Sequence, residues 1–210
     1  MRLRDRGLDA RHVVDVEACQ GDWTRLCRRV FPQARVLMVK PQERHRERLR
    51  QMVASDGGGL AFASVLLGPA GMALADFHVL GDPSGGTGSS VLPEGSAGPR
   101  QVVRMPVRTL DEVLAQHAMQ PVSLLNLDVQ GFDLGVLKGA DQILATVPWV
   151  LLEVSLTPYN QGSPLIDEVL SWMRARGFGI AEVVDLSRAR DGRLVQADLL
   201  FQRLATASGH

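Results

Sequence analysis

A chain of 210 residues, 45% hydrophobic and 22% charged, carries enough apolar side chains to bury one substantial core. Its 23 Lys and Arg balance its 23 Asp and Glu, and a formal net charge of zero argues against a nucleic-acid binder, which needs a clustered cationic surface. No apolar run approaches the roughly 20 residues that cross a bilayer, no leader peptide or membrane association is expected, and two cysteines without CxxC spacing fit a reduced, cytoplasmic setting.

After a short basic segment, residues 12–16 read as a strand. Asp22 is the expected N-cap of a helix in which Trp23, Leu26, Cys27 and Val30 recur at helical spacing. Residues 34–39 form the next strand, stopped by Pro41, and a charged helix runs through about Met52; its Arg44 to Arg50 run reads as a solvated face. Residues 60–67 and 72–80 read as strands joined by a hairpin over 68–71. In residues 81–100, thirteen of the twenty are Gly, Ser or Pro, so this segment is expected to be a mobile surface loop and a candidate lid. A strand over 102–107 follows. Thr109 and Glu112 then make a capping box for a helix carrying Leu110, Val113 and Leu114, with His117 at its C-terminal end, where it suits the helix dipole. A strand over 122–127, a helix over 133–144 and a strand over 149–153 form a central block. Ser163 is the expected cap of the next helix, with Pro164 at its first position and Gly177 past its end. Residues 180–184 and 197–202 close the chain as an antiparallel pair around the Asp191-Gly192 turn. Trp23, Trp149 and Trp172 fall at core periodicities. This alternation, without an internal repeat, predicts one doubly wound α/β domain over residues 1–210.

The chemistry concentrates at strand ends. The stretch from Leu124 to Glu153 is an apolar run ending in Asp128, a Gly131 turn, an amphipathic helix, and a second apolar run ending in Glu153; Val13-Val14-Asp15-Val16 repeats the pattern near the N-terminus. Ligands of open α/β sheets bind beyond the carboxyl ends of the strands, so these ends offer acids to one crevice. Asp128 is the first candidate to orient or deprotonate a substrate group, with His78 and Glu153 behind it. Tyr159, beside Asn160, is a candidate for lining an acceptor pocket. Asp128, Asp133 and Glu153 lack the spacing of a metal motif, and no metal is expected. There is no dinucleotide fingerprint, no phosphate loop and no nucleophile elbow.

Several segments together resemble the FkbM-type methyltransferases, S-adenosylmethionine-dependent enzymes of the Rossmann-like class. They are VVDVEACQGDW, VLMVKPQ, SVLLGPAG, FHV with GGTGSSVL, VRTLDEVL and, most specifically, LLNLDVQGFDLGVLKGA with the following LLEVS. The resemblance runs from about residue 7 to residue 203. It implies a class I fold, a mostly parallel seven-stranded sheet with an antiparallel last strand. It also implies O-methyl transfer to a hydroxyl of a small molecule, a sugar, a polyketide or similar, with a homodimer left open as the assembly. Carried over by position, Asp15, Glu17, Ala18, Cys19 and Gly21 would wrap the amino-acid end of the cofactor. Lys40 would face its ribose, Val65 and Leu66 would lie near its adenine, and Asp128 would stand beside the transferring methyl.

The chain departs from the family pattern at the cofactor. Glu17 stands where a glycine is expected and Cys19 where an asparagine is expected; a glutamate brings a Cβ and a charge into space that glycine leaves to the cofactor. Lys40 replaces an acid that would accept hydrogen bonds from ribose hydroxyls, and an ammonium only donates. The opposite charges of Glu17 and Lys40, at neighbouring strand tips, predict an ion pair across the ribose position. Two activities follow from these residues: a working O-methyltransferase, or a catalytically silent protein of the same fold with a closed cofactor site, acting as a binding or partner subunit.

Overall fold

Strands that are buried along their whole length occupy the middle of the sheet. The computed structural model describes residues 7–80, 89–93, 100–158 and 160–205. In chain order the elements are β1 (His12–Val16), α1 (Asp22–Val30), β2 (Arg35–Val39), α2 (Glu43–Ser55), β3 (Leu60–Ala63), β4 (Leu66–Leu67), β5 (Leu74–Leu80) and β6 (Arg100–Arg108). There follow α3 (Leu110–His117), β7 (Leu124–Leu127), α4 (Asp133–Leu137), α5 (Asp141–Leu144), β8 (Trp149–Ser155), α6 (Ile166–Ala175), β9 (Phe178–Arg188) and β10 (Leu194–Arg203). The main sheet has seven strands in the order β3-β2-β1-β7-β8-β10-β9. β1 runs parallel to both β2 and β7, β7 is parallel to β8, and β10 is antiparallel to its neighbours β8 and β9. The chain works outward from β1 to β3, then returns to the other side of β1 with β7. That reversal opens a crevice at the carboxyl ends of β1 and β7.

Alternate side chains of the central strands feed two cores. Val14, Val16, Leu37, Val39, Leu125 and Leu127 face one side, where Leu110, Leu114, Leu137 and Ile143 cover them. Val13, Val36, Met38 and Leu124 face the other, under Cys27 and Leu49 of α1 and α2. Leu37, Leu125 and Leu137 are fully buried, and truncating such a leucine to alanine typically costs about 2–5 kcal/mol. Trp149 is part of the second core, while Trp23 and Trp172 pack partly buried against the cores. No helix among the described residues is long and apolar enough to cross a membrane.

Several boundaries differ from expectation. Residues 60–67 are two strands: β3 stays in the main sheet, and β4 leaves to run parallel to β6. β5 makes no hairpin with β4; it pairs antiparallel with β6, giving a three-stranded sheet in the order β4-β6-β5. The turn residues at 68–71 mark a reversal, but alternation alone does not name the partner strand. The helix expected over 133–144 breaks at Gly139, where a Cβ would stand 2.2 Å from the Gly68 carbonyl oxygen. The chain passes too close there to carry a regular helix with side chains. Asp111 then caps the second piece, its carboxylate accepting from the N–H groups of Gln142 (2.9 Å) and Ile143 (3.2 Å).

The N-cap of α1 is Gly21, with φ at 81°, and Asp22 is the first helical residue. α6 begins at Ile166 with Leu165 as its cap, so Ser163 and Pro164 precede the helix. The capping box of Thr109 and Glu112 forms as expected, and Gly177 follows the end of α6 with φ at 81°. Of the expected loop over 81–100, residues 81–88 and 94–99 lie outside the described residues. Ser89 and Ser90 are buried, not at the surface, because Ser90 bridges to His78 and its hydroxyl donates to the Gln130 carbonyl at 3.2 Å.

Candidate active site

Asp15 lies opposite Asn126 in the β1–β7 register. Its Oδ1 accepts from Asn126 Nδ2 at 2.9 Å and its Oδ2 from Thr24 Oγ1 at 2.5 Å. Burial pushes this carboxyl up to about 6, against the two hydrogen bonds, which favour the ionised form. Asp15 therefore braces β1, β7 and α1 from the floor of the crevice.

The turn after β1 keeps a shape that glycine adopts freely. Glu17 has φ 69°, Cys19 φ 47° and Gly21 φ 81°. A non-glycine residue in this left-handed region costs about 1–3 kcal/mol and persists only where its surroundings hold it. Here the N–H groups of Glu17 (2.8 Å) and Ala18 (3.2 Å) both donate to the Val39 carbonyl, tying the turn to the tip of β2. Lys40 follows that tip, and its Nζ donates to Glu17 Oε1. The ion pair expected from the sequence is thus present, with the side chains of Lys40 and Glu17 only 2% and 10% exposed. Burial draws the ammonium of Lys40 down to about 7, with Arg44 adding to that shift and Asp128 and Asp15 opposing it.

Two cavities meet at Glu17. One is a cleft of about 250 Å³, lined by Asp15, Glu17, Ala18, Cys19, Trp23, Asp128, Gln130, Glu153 and Asp198, at the carboxyl ends of β1 and β7 and over β8 and β10. The other is a hollow of about 20 Å³, lined mainly by apolar side chains including Val39, Val65, Leu66 and Phe77, with Glu17 and Ser90. Val65 and Leu66 thus sit together beside the tip of β2.

Across the cleft, Gln130 donates its side-chain amide to Asp128 Oδ1 (2.8 Å) and to Glu153 Oε1 (3.2 Å), while Gln196 reaches the same Glu153 oxygen at 2.7 Å. Gln130 itself has φ 53°, and its carbonyl accepts from Asn160 Nδ2 at 2.5 Å. Burial first, then the charges of Asp128, Asp133 and Asp198, push the Glu153 carboxyl far above the usual range, so it holds its proton at neutral pH. Burial also lifts Asp198 to about 6 and Asp133 to about 8. The cleft is thereby a mixed set of carboxylate and carboxylic acid groups, able to accept a cationic centre and to pass a proton between its members.

Asp15, Glu17, Ala18, Cys19, Asp128 and Glu153 come together in this cleft, with Gly21 shaping the turn beneath it; a Cβ there would meet Met52 Sδ at 2.6 Å. His78 does not join them: it lies on β5 in the three-stranded sheet, bridged to Ser90 by its backbone. Tyr159 lies outside the described residues. Among the described residues, no group of His, Cys, Asp or Glu is arranged to hold a metal ion. Sequence reasoning missed Thr24, Gln130 and Asp198. Asn126, a polar residue inside the run LLNL, was the one legible signal, since a buried amide in a strand requires a partner.

The residues fit S-adenosylmethionine at one end only. The carboxylates of the cleft suit its ammonium and sulfonium. Where the family resemblance would put the ribose stands Lys40, which offers donors alone and is already bound to Glu17, and the hollow beyond holds about 20 Å³.

A family model described as the methyltransferase FkbM domain matches residues 15–180. No curated protein sequence matches the chain. Among solved structures, methyltransferase FkbM from Methylobacillus flagellatus KT superposes with a TM-score of 0.55 at 15% identity, covering 92% of this chain and 44% of that one. The chain therefore spans less than half the length of that relative. Cofactor-bound Rv0187 from MTB gives 0.56 at 14% identity over 97% and 78% of the two chains. Precorrin-6y C5,15-methyltransferase from Geobacter metallireducens GS-15 gives 0.51 at 8% identity over 94% and 82%. The strand order and the reversed last strand are shared with this class I methyltransferase fold, and, with the family match covering most of its length, the chain belongs to the FkbM methyltransferase family.

Proposed function

We propose that the chain transfers a methyl group from S-adenosylmethionine to a hydroxyl of a small acceptor, a sugar, a polyketide or a similar molecule. The observation that carries this reading is the Asp128 carboxylate, held by Gln130 in a cleft bordered by the turn after β1. The sulfonium supplies an electrophilic methyl when the cofactor is bound. The chain's own part is to hold the acceptor oxygen in line and to take its proton. Asp128 accepts the hydroxyl hydrogen bond and then the proton. Glu153, kept protonated, leaves Asp128 as the acceptor of the pair, and Gln130 fixes the distance between them. The setting is cytoplasmic, where the thiols of Cys19 and Cys27, which form no disulfide, stay reduced, and the acceptor is neither nucleic acid nor membrane lipid. A homodimer is compatible with this role.

Isothermal titration with S-adenosylmethionine up to millimolar concentration, followed by methyl transfer to a panel of hydroxylated acceptors, tests the proposal. A cooperatively folded protein that shows no binding heat at any concentration sinks it. A second reading, a catalytically silent binding subunit, is favoured by the closed Glu17–Lys40 pair, and it gains if binding is absent while the fold is intact.

A further inference from the structure

Glu17 is a wall common to the cleft and the hollow, and Val39 and Pro41, on either side of Lys40, line the hollow as well. The two hydrogen bonds from the turn to the Val39 carbonyl fix where Glu17 stands, and the pairing with Lys40 fixes where its carboxylate points. Neither space alone suits a nucleoside ligand, whose pockets run to roughly 300–1,000 Å³. The cleft is below that range and the hollow far below it. Both lie at the switch point of the sheet, where one elongated crevice is the rule.

We propose that the Glu17–Lys40 ion pair is a specificity-determining partition: while closed it admits the amino-acid end of a ligand and excludes its nucleoside, and when broken it merges cleft and hollow into one crevice for an adenosine-bearing amino acid. The inference rests on the methyl-donor reading of the same crevice and deepens it. Entry of a ribose displaces one partner from the other and leaves a charge buried without its counter-ion. The chain also holds a glutamate in a left-handed turn conformation that a glycine would take without steric cost, and among the described residues it is the side chain that lines both cleft and hollow. Asp15 and Asp128 stand near enough to act on the charge of Lys40, and their attraction favours the ammonium, the form that holds Glu17.

The test is titration of S-adenosylhomocysteine into four proteins: the unmodified chain, Glu17→Gly, Lys40→Glu and the double variant, each checked for cooperative thermal unfolding. The double variant is expected to bind at least tenfold more tightly than the unmodified chain, a difference of about 1.4 kcal/mol. Each single variant should gain less, because it leaves one wrong group in place. If the double variant fails to fold, Glu17→Gly with Lys40→Met, which keeps the lysine stem without its charge, replaces it. Micromolar binding by the unmodified chain, equal to that of the double variant, overturns the partition and leaves the methyl-donor reading standing. A folded double variant with less than a threefold gain also overturns it, and if none of the four proteins binds, the methyl-donor reading falls as well.

Discussion

Gln130 reaches Glu153 at 3.2 Å with the same amide nitrogen that holds Asp128 at 2.8 Å, so one side chain spans the carboxyl groups of two adjacent strand ends. Because Gln130 sits at φ 53°, its position is set by the turn that Asn160 and Ser90 hold from outside. Asp128→Asn keeps the shape of this group and removes its basicity. Methyl transfer at saturating cofactor and acceptor should fall about 10²–10⁴-fold, the usual worth of a general base. Gln130→Ala should reduce turnover less, with Gln130→Asn unable to restore it because the shorter chain cannot span both acids. Undiminished turnover in Asp128→Asn takes Asp128 out of the chemistry.

Acid groups raised by burial give the protein a pH dependence of definite sign. Asp133 is drawn up to about 8, and Asp15 and Asp198 to about 6, all from about 3.8. A carboxyl with a raised folded-state value binds more protons when folded, so its stabilisation is complete below the unfolded value and fades as pH rises through the folded one. The contribution of these groups to stability should therefore be greatest below about pH 4 and decline toward pH 9. Asp133 has a buried oxygen without a partner, so Asp133→Asn should flatten the upper part of this decline. Urea midpoints at pH 5, 7 and 9 for both proteins measure it; a steeper decline in the variant contradicts the assignment.

The ion pair at the crevice should titrate in the opposite functional sense. Lys40 is drawn down to about 7 by burial, and it faces Glu17 and Asp15 from β1 and its turn, Asp128 from beyond β7, and Arg44 and His45 from α2. Below that value the ammonium holds Glu17; above it the attraction is lost. S-adenosylhomocysteine binding by the unmodified chain should tighten from pH 6 to pH 8.5. The same series in Lys40→Met should be flat, which separates Lys40 from the other titrating groups of the cleft. A parallel rise in the variant would assign the effect to the acids instead.

What the sequence disclosed follows from what is local. Asp15, Asp128 and Glu153 were legible because an acid that interrupts or ends an apolar run is a one-dimensional pattern, although β1 continues to Val16 and β8 to Ser155, so that only Asp128 lies past a strand end. The Glu17–Lys40 pair was legible because neighbouring parallel strands bring their tips together, and the two residues carry opposite charges there. The three-stranded sheet was not. β4 and β6 are separated by residues 68–99, and nothing in the alternation of either strand names the other. Gln130 and Thr24 were missed for a related reason: each works through a partner on a different element, Glu153 on β8 and Asp15 on β1. His78 stands on β5 outside the cleft, a placement the sequence did not disclose because a histidine in a strand reveals its face only when its sheet is known.

The break at Gly139 can be tested directly. A Cβ there would lie 2.2 Å from the Gly68 carbonyl oxygen and 3.2 Å from Thr109 Cβ, and the Gly68 contact is to backbone, which cannot rotate away. Gly139→Ala should destabilise the protein by about 1–3 kcal/mol, the usual cost of overpacking, despite the better helix propensity of alanine. A thermal midpoint at or above that of the unmodified chain would show that the two backbones separate without loss.

Thr24 and Asn126 offer the last test, because each satisfies one oxygen of the same buried carboxylate. Thr24→Val removes the hydroxyl while keeping the shape, and it leaves Asp15 Oδ2 without its 2.5 Å donor at a residue only 1% exposed. An unsatisfied buried acceptor costs about 1–3 kcal/mol, more where it is charged. Loss of the hydroxyl also removes one of the two hydrogen bonds that, with the charge of Lys40, favour the ionised form, so Asp15 should titrate higher than about 6 in the variant. The two effects point the same way: the variant should be destabilised at pH 7 and recover part of its deficit near pH 5, where Asp15 takes up a proton. Urea unfolding at both pH values, with the carboxyl carbon of Asp15 followed by NMR, reads stability and titration separately. Equal destabilisation at the two pH values, with an unmoved titration, would mean that Thr24 acts by packing and not through its hydroxyl.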